Sequence, residues 1–195
     1  MVINLDELDR LANEHELFEK ALFSINCNIT KNFSSRSIDR SKIAELLTFL
    51  SHFSIDVHFE REEDILFPLL ERFEKKTGFA KSKAPINNLV EGHRNMTDII
   101  NESISYLEND KIDMLSKSIT DLSEIVTAHA TLEYVIFFPI IQNRFMSLEQ
   151  DNLKIVLERF FESKNSIYPY SASIAKAEIL TKSLCKKKYT HKNAF

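Results

Sequence analysis

His129-Ala130-Thr131-Leu132-Glu133-Tyr134-Val135-Ile136-Phe137-Phe138-Pro139 sets a histidine and a glutamate four residues apart in an apolar run that closes on a proline. Residues four apart lie on one face of a helix, one turn from each other. An imidazole and a carboxylate therefore leave the same side of a segment that reads as buried, where unpartnered polar groups are expensive. The chain carries a second copy, His58-Phe59-Glu60-Arg61-Glu62-Glu63-Asp64-Ile65-Leu66-Phe67-Pro68. Both copies run His, three residues, Glu, four residues, Phe-Pro, and they start 71 residues apart. A lone His-x-x-x-Glu arises easily by chance. Two with one tail suggest a duplicated unit.

Working outward, apolar residues recur at helical spacing in four long segments. Leu5, Leu8, Leu11, Phe18, Leu22 and Ile25 form the first stripe, with Asn4 and Glu7 as a capping pair and His15 on the apolar face. The polar stretch from Asn32 to Ser37 ends it. The second helix begins near Ser37 or Ile38 and runs through Ile43, Leu47, Leu50, His58, Glu62 and Leu66, with a kink expected at Pro68 and a cap at Gly78. The third opens at Pro85 and carries Ile86, Leu89, His93, Met96 and Ile100. Gly92 serves close backbone approach or is merely tolerated. Asp110 is expected to cap the fourth, which carries Leu115, Ile119, Leu122, Val126, His129, Glu133 and Ile136. Ser147 and Gln150 form a capping box for a fifth, shorter helix. Ala172 to Leu184 reads as another short helix, and Lys186 to Lys192 as a solvated basic tail. The fold class is all-α: an up-down-up-down four-helix bundle over residues 1–146, with a C-terminal extension of extra helices and tail over 147–195.

Composition agrees. Only 2 glycines and 4 prolines in 195 residues argue for long helices over a many-turned sheet. A net charge of −4 gives no basic signal for nucleic acid. No apolar run approaches the roughly 20 residues of a membrane span. The N-terminal stretch is acidic where a secretory leader is basic and apolar. Cys27 and Cys185 stand far apart in no metal-type spacing, so free thiols and a cytoplasmic location are expected.

Each long helix carries one histidine on its apolar stripe: His15, His58, His93 and His129. The second and fourth add Glu62 and Glu133 one turn on. In each half a lone-His helix precedes a His-plus-Glu helix, as two similar hairpins facing one site would require. A single such histidine is most simply a hydrogen-bonded core residue, but four with two glutamates are costly to bury without a cation. A single zinc needs only about four ligands. Six groups, two of them able to bridge, suit two ions, and bundles with inward Glu and His recurrently hold di-iron and di-manganese centres. Two Fe(II), two glutamates and a bridging hydroxide leave a small residual charge. Iron is the expected metal, with manganese or zinc as the other candidates.

The sequence resembles hemerythrin-like proteins, the HHE cation-binding family, over roughly residues 4 to 146. Glu14-His15, the His58 to Pro68 run, Glu91-Gly92-His93, and His129 to Glu133 with Phe138-Pro139 carry the likeness. The resemblance implies an oxo- or hydroxo-bridged di-iron centre with His15, His58, His93 and His129 as terminal ligands and Glu62 and Glu133 as bridges. Oxygen-carrying hemerythrins have a further histidine one turn beyond the third-helix ligand, where this chain has Thr97. The chain is thus similar to four-His, two-carboxylate relatives linked to nitric-oxide stress and iron–sulfur repair, with a coordination position open to an exogenous ligand.

Two functions follow as expectations. One is binding of, or reaction with, a small ligand such as O2 or NO in sensing, storage or stress protection. The other is iron handling or iron–sulfur cluster repair. No catalytic residue is singled out. Glu63, about 100° round the helix from Glu62, is expected beside the site or at the surface. Glu19 is expected in solvent, and His52 and His191 outside the site.

Overall fold

A computed structural model describes residues 6–34, 37–77, 83–139, 141, 147–165 and 169–185. Every element among them is helical. Helix α1 spans Asp6–Asn32. Helix α2, Arg40–Phe53, continues through π-helical turns at Ser54–Phe59 and Glu62–Leu66 into α3, Phe67–Thr77. Helix α4 is Lys83–Glu108, and α5, Ile112–Leu132, runs into a third π-helical turn at Glu133–Phe137. Helices α6, Ser147–Asn165, and α7, Tyr170–Leu184, follow. Around the bundle α1 packs on α5, α5 on α4, α4 on α2 and α2 on α1, so the four long helices close a ring.

The core is divided. One apolar cluster contains Leu17 to Ile29 of α1, Ile43 to Phe59, Met96 to Leu107 and Leu115 to Val126. A second contains Leu8 and Leu11, Leu66 to Leu70, Ile86 and Leu89, Phe137, Phe138 and Ile141. The second cluster takes the N-terminal ends of α1 and α4 and the C-terminal ends of the other two long helices. That alternation is the expected up-down-up-down order. His15, His58, Glu62, His93, His129 and Glu133 fall between the clusters on every helix.

The Phe-Pro tails shape the helix beside this layer. Proline has no N–H and its ring crowds the carbonyl four residues back. In each copy the preceding phenylalanine reaches back five residues instead: Phe67 N–H bonds the Glu62 carbonyl and Phe138 N–H the Glu133 carbonyl. The expected kink at Pro68 is therefore a widened π turn that starts at the glutamate itself. Such turns cluster at functional sites because they re-aim a side chain within a helix.

Several boundaries differ from the sequence reading. Helix α2 starts at Arg40, because Asp39 accepts from Lys42 N–H at 3.2 Å and caps it. Helix α4 starts two residues before Pro85, which sits in its first turn. Asp110 does not cap α5; with φ 58 it closes α4. Lys111 N–H bonds Tyr106 O at 2.9 Å and Asp110 N–H bonds Leu107 O at 3.4 Å, a left-handed helix stop of the Schellman kind. Its side chain pairs with Arg40 at the start of α2. Asn4, Gly78, Ile140 and the basic tail lie outside the described residues.

The free-thiol expectation is overturned. Cys27 and Cys185 form a disulfide with Cα atoms 5.9 Å apart, fastening the end of α7 to α1. The pairing was hidden because 158 residues separate the two cysteines and only the fold returns α7 to α1. Helix α7 buries Ala177, Leu180 and Leu184 against the bundle core.

Candidate metal centre

The structure brings all six predicted residues into one buried layer. His58, Glu62 and Glu133 are fully buried, and His15, His93 and His129 nearly so. His15, His58, His129 and Glu133 form one group whose ligand atoms lie within 4.8 Å of one another. Glu62, His93, His129 and Glu133 form a second, so the two groups share His129 and Glu133.

Of the contacts inside the layer, those of Glu62 and Glu133 with the rings lack hydrogen-bond geometry. His129 Nε2 lies 2.6 Å from Glu133 Oε1, and His93 Nε2 lies 3.1 Å from Glu62 Oε2. Yet neither ring nitrogen, nor either oxygen of Glu62 or Glu133, has a partner in hydrogen-bond geometry. His58 Nε2 and His15 Nε2 face each other at 3.0 Å. Buried polar atoms are otherwise almost always satisfied. Nitrogen and carboxylate atoms converging with so many left without a hydrogen bond are what a cation would satisfy, and the His/Glu donor set fits one.

Outside this layer carboxylates hold the rings. Glu14 Oε2 is 2.6 Å from His58 Nδ1, and Glu63 Oε1 is 2.6 Å from His93 Nδ1. Each pairing is the usual carboxylate–histidine arrangement behind a metal: in the neutral ring the proton sits on Nδ1 and Nε2 faces inward, a state His93 reaches once its second proton is lost. Glu63 is thus a partner of His93, as its place on the helix allowed. Arg61, fully buried, donates to both oxygens of Glu14 at 3.1 and 2.5 Å. Tyr170 of α7 donates to Glu14 Oε1 at 2.6 Å. Aromatic rings line the layer: Phe59 stacks on His93 with centroids 4.0 Å apart, and Phe18 and His58 meet edge to face with centroids 5.2 Å apart.

The electrostatics follow. Burial pushes Glu133 up to about 7, and burial pushes His129 down to about 3. Burial also lowers His15, reinforced by the neighbouring imidazoles. Burial opposes charge on His93 too, but Glu62 and Glu63 outweigh it and raise that ring to about 9. Burial would raise Glu14, but Arg61 and His58 hold its carboxyl at about 2.

A pH prediction follows for the metal-free protein. His93 is raised in the fold, so its contribution to stability is present below about 6.5 and lost as pH climbs towards about 9. Glu14 is depressed, so its contribution is present above about 4.5 and lost as pH falls towards about 2. Metal must displace the His93 proton. At pH 7.5 metal binding is expected to release about one proton. Calorimetry in two buffers of unlike ionisation enthalpy measures it, and identical heats would contradict it.

Gly92 lies opposite His129. A Cβ there would meet His129 Nδ1 at 3.4 Å, an ordinary contact, so the tolerance reading of this glycine suffices. Thr97 turns its hydroxyl to the His93 carbonyl at 2.9 Å, leaving no ligand in that place. A cleft of about 540 Å³, lined by Phe59, Glu63, His93 and Thr97 among others, opens on that side. Glu19, expected in solvent, is instead buried and accepts from Thr127 at 3.4 Å. Its place one turn beyond His15 on the core side of α1 accounts for that. His52 is exposed beside Asp56, away from the layer, and His191 lies outside the described residues.

Sequence reasoning did not find Arg61 or Tyr170. Arg61 carried a signal, since it stands three residues after His58 and so shares its face. Tyr170 carried none.

Fold and site together define a metal-binding helical bundle with an inward His/Glu set. Residues 6–141 match the Hemerythrin HHE cation binding domain, and the chain belongs to that family. No curated protein and no solved structure matches it. Metal binding, with iron the metal the family implies, is therefore the chain's property. No described helix is long and apolar enough to cross a membrane.

Proposed function

We propose that the layer is a di-iron centre. His15, His58, His93 and His129 are its terminal ligands and Glu62 and Glu133 bridge. The observation that carries this reading is that two four-residue donor groups share His129 and Glu133, of which Glu133 has two oxygens to offer while an imidazole presents one inward nitrogen. When bound, the metal pair supplies Lewis acidity and one-electron chemistry. The protein's own part is to hold the donors converged, fix the His58 and His93 tautomers through Glu14 and Glu63, and exclude water with Phe18, Phe59 and Phe67. The cleft beside Thr97 gives a small molecule a route to His93. O2 or NO fits that space, in sensing, storage or stress protection.

Metal analysis of gently purified protein is expected to give about two iron ions per chain. The absorption spectrum is expected to change on dithionite, again on air, and differently on NO. Stoichiometry near zero after anaerobic reconstitution with Fe(II) would sink the di-iron reading. An unchanged spectrum with both gases would sink the small-ligand role.

One observation favours a second reading. Glu60, Glu63, Asp64 and Asp98 line the same cleft against a single arginine among the described residues, Arg94, and although Glu60 pairs with Lys164 and Glu63 with His93 the lining keeps an excess of carboxylates. That suits passage of a cation, hence iron handling or repair of iron–sulfur clusters. Transfer of iron from the loaded protein to a metal-free acceptor, without a gas response, would separate this reading from the first. We place the protein in the cytoplasm, with residues 1–146 as the metal-binding bundle and 147–195 as its extension. In that compartment a disulfide is typically transient, which makes the Cys27–Cys185 bond conditional.

A further inference from the structure

The matched family segment ends at residue 141, yet the outer shell of the centre does not. We propose that the C-terminal helix completes the metal centre and makes it thiol-sensitive: Tyr170 positions His58 through Glu14, and the Cys27–Cys185 disulfide holds the helix that carries Tyr170.

The contact chain is continuous and short. Tyr170 donates its hydroxyl to Glu14 Oε1 at 2.6 Å, and Glu14 Oε2 meets His58 Nδ1 at 2.6 Å. Glu14 is 1% exposed, so these contacts and those from Arg61 decide how its carboxylate lies. A carboxylate that turns would carry the His58 ring with it and move Nε2 out of the layer. The extension reinforces the arrangement from α6 as well: Arg61 lies over the Phe161 ring at 5.4 Å, and Phe161 meets Tyr170 edge-on with centroids 5.3 Å apart. Tyr170 also packs on Phe53 of α2 at 5.3 Å. The ring is thus seated by packing, and the hydroxyl is the part that speaks to Glu14.

Helix α7 is fastened at both ends, and between them Lys176 Nζ lies 2.9 Å from Glu45 Oε2 of α2 and Ala177, Leu180 and Leu184 pack in the core. Tyr170 is its first residue, and Cys185 directly follows its last. Beside the disulfide, Asn28 Nδ2 donates to the Leu184 carbonyl at 3.5 Å, a long bond that adds little. The sulfurs are placed for exchange. Cys27 is partly exposed whereas Cys185 is buried, and Lys31 Nζ lies 3.9 Å from Cys185 Sγ. A dithiol reductant would attack the Cys27 sulfur with one thiolate, and Cys185 would leave as a thiolate facing the Lys31 ammonium. The reductant's second thiolate then attacks the mixed disulfide and frees Cys27. Two electrons and two protons pass to the cysteines, and the reductant ends as its own disulfide. With that end loosened, α7 loses its covalent tie to α1, and Tyr170 is held on Glu14 only by packing, its hydrogen bond and the Lys176–Glu45 pair.

The test uses full-length protein, Tyr170→Phe and dithiothreitol. Phenylalanine keeps the ring contacts with Phe53 and Phe161, so helicity and melting temperature are expected to stay close to those of the parent. In metal-free protein the His58 imidazole nitrogen resonances are expected to move, a change that mere packing would not produce. In iron-loaded protein, release to a ferrous chelator is expected to quicken about three- to tenfold, at or below the range for an outer partner of a metal-bound histidine. Reduction should quicken release from the parent towards the variant's rate and leave the variant nearly unchanged. Unmoved His58 resonances and an unaltered release rate in Tyr170→Phe would overturn the proposal. Equal acceleration of both proteins by dithiothreitol, or of neither, would overturn it too. The resonance measurement needs no metal, so its failure is distinct from failure of the di-iron reading.

Discussion

Glu133→Ala is expected to abolish stable metal binding, while Glu63→Ala weakens it about ten- to hundredfold. The difference follows from position. Glu133 belongs to both donor groups, so its loss removes an oxygen from each at once. It also leaves His129 and His15 facing a void where Glu133 stood 2.6 and 3.4 Å away. Glu63 touches only the far nitrogen of His93, at 2.6 Å, with its side chain 37% exposed. Without it His93 keeps Nε2 in the layer but loses the partner that fixes its tautomer. Metal content after dialysis against a weak chelator, with affinity by competition, would show it; equal losses would mean the bridging position is misassigned. A second readout is independent of metal. Burial raises Glu133 to about 7, so the fold binds a proton there that the unfolded chain gives up above about 4.5. Between those values the group erodes stability as pH rises. In Glu133→Ala that part of the decline should vanish from urea denaturation curves of metal-free protein.

What the sequence disclosed, and what it withheld, divides along a physical line. The four stripes and the inner residues were legible because helical period acts over three or four positions and every proposed ligand sits on its helix's apolar face. His58 and Glu62 announce each other at that spacing, as do His129 and Glu133. The doubled Phe-Pro tail marked the duplication, although its work in widening the helix at each glutamate appeared only with the backbone. Of the outer residues Glu63 was expected beside the site or at the surface, but the network on Glu14 was illegible because its partners are remote. Glu14 meets Arg61 across 47 positions and Tyr170 across 156, and no periodicity links them. Cys27 and Cys185 failed for the same reason. The weak pattern of α7 reflects a helix that buries few residues, yet two of its contributions, a hydroxyl and a sulfur, matter more than its stripe. Glu19 looked solvated because its His-x-x-x-Glu lacks the Phe-Pro tail, whereas the ring of helices gave that side of α1 to the core.

Arg61→Met is expected to destabilise the protein by about 3–5 kcal/mol, the cost of leaving a buried charge without its partner. Arg61 is the largest of the fully buried side chains, and its guanidinium grips both oxygens of Glu14. Methionine fills much of the volume, so the loss is electrostatic more than a cavity effect. With Arg61 gone, Glu14 keeps His58 and Tyr170, but burial then pushes its carboxyl up from about 2. A Glu14→Gln change in the same chain removes the stranded charge. The double variant should therefore be more stable than Arg61→Met alone, and the cycle isolates the coupling. If instead the two losses simply add, the pair acts as two separate contacts and Arg61 matters for its packing under Phe161. Metal affinity distinguishes the same alternatives from another side. Arg61→Met should also weaken binding, because a mobile Glu14 no longer fixes His58, whereas a packing defect alone would lower stability and leave the imidazole resonances of His58 in place.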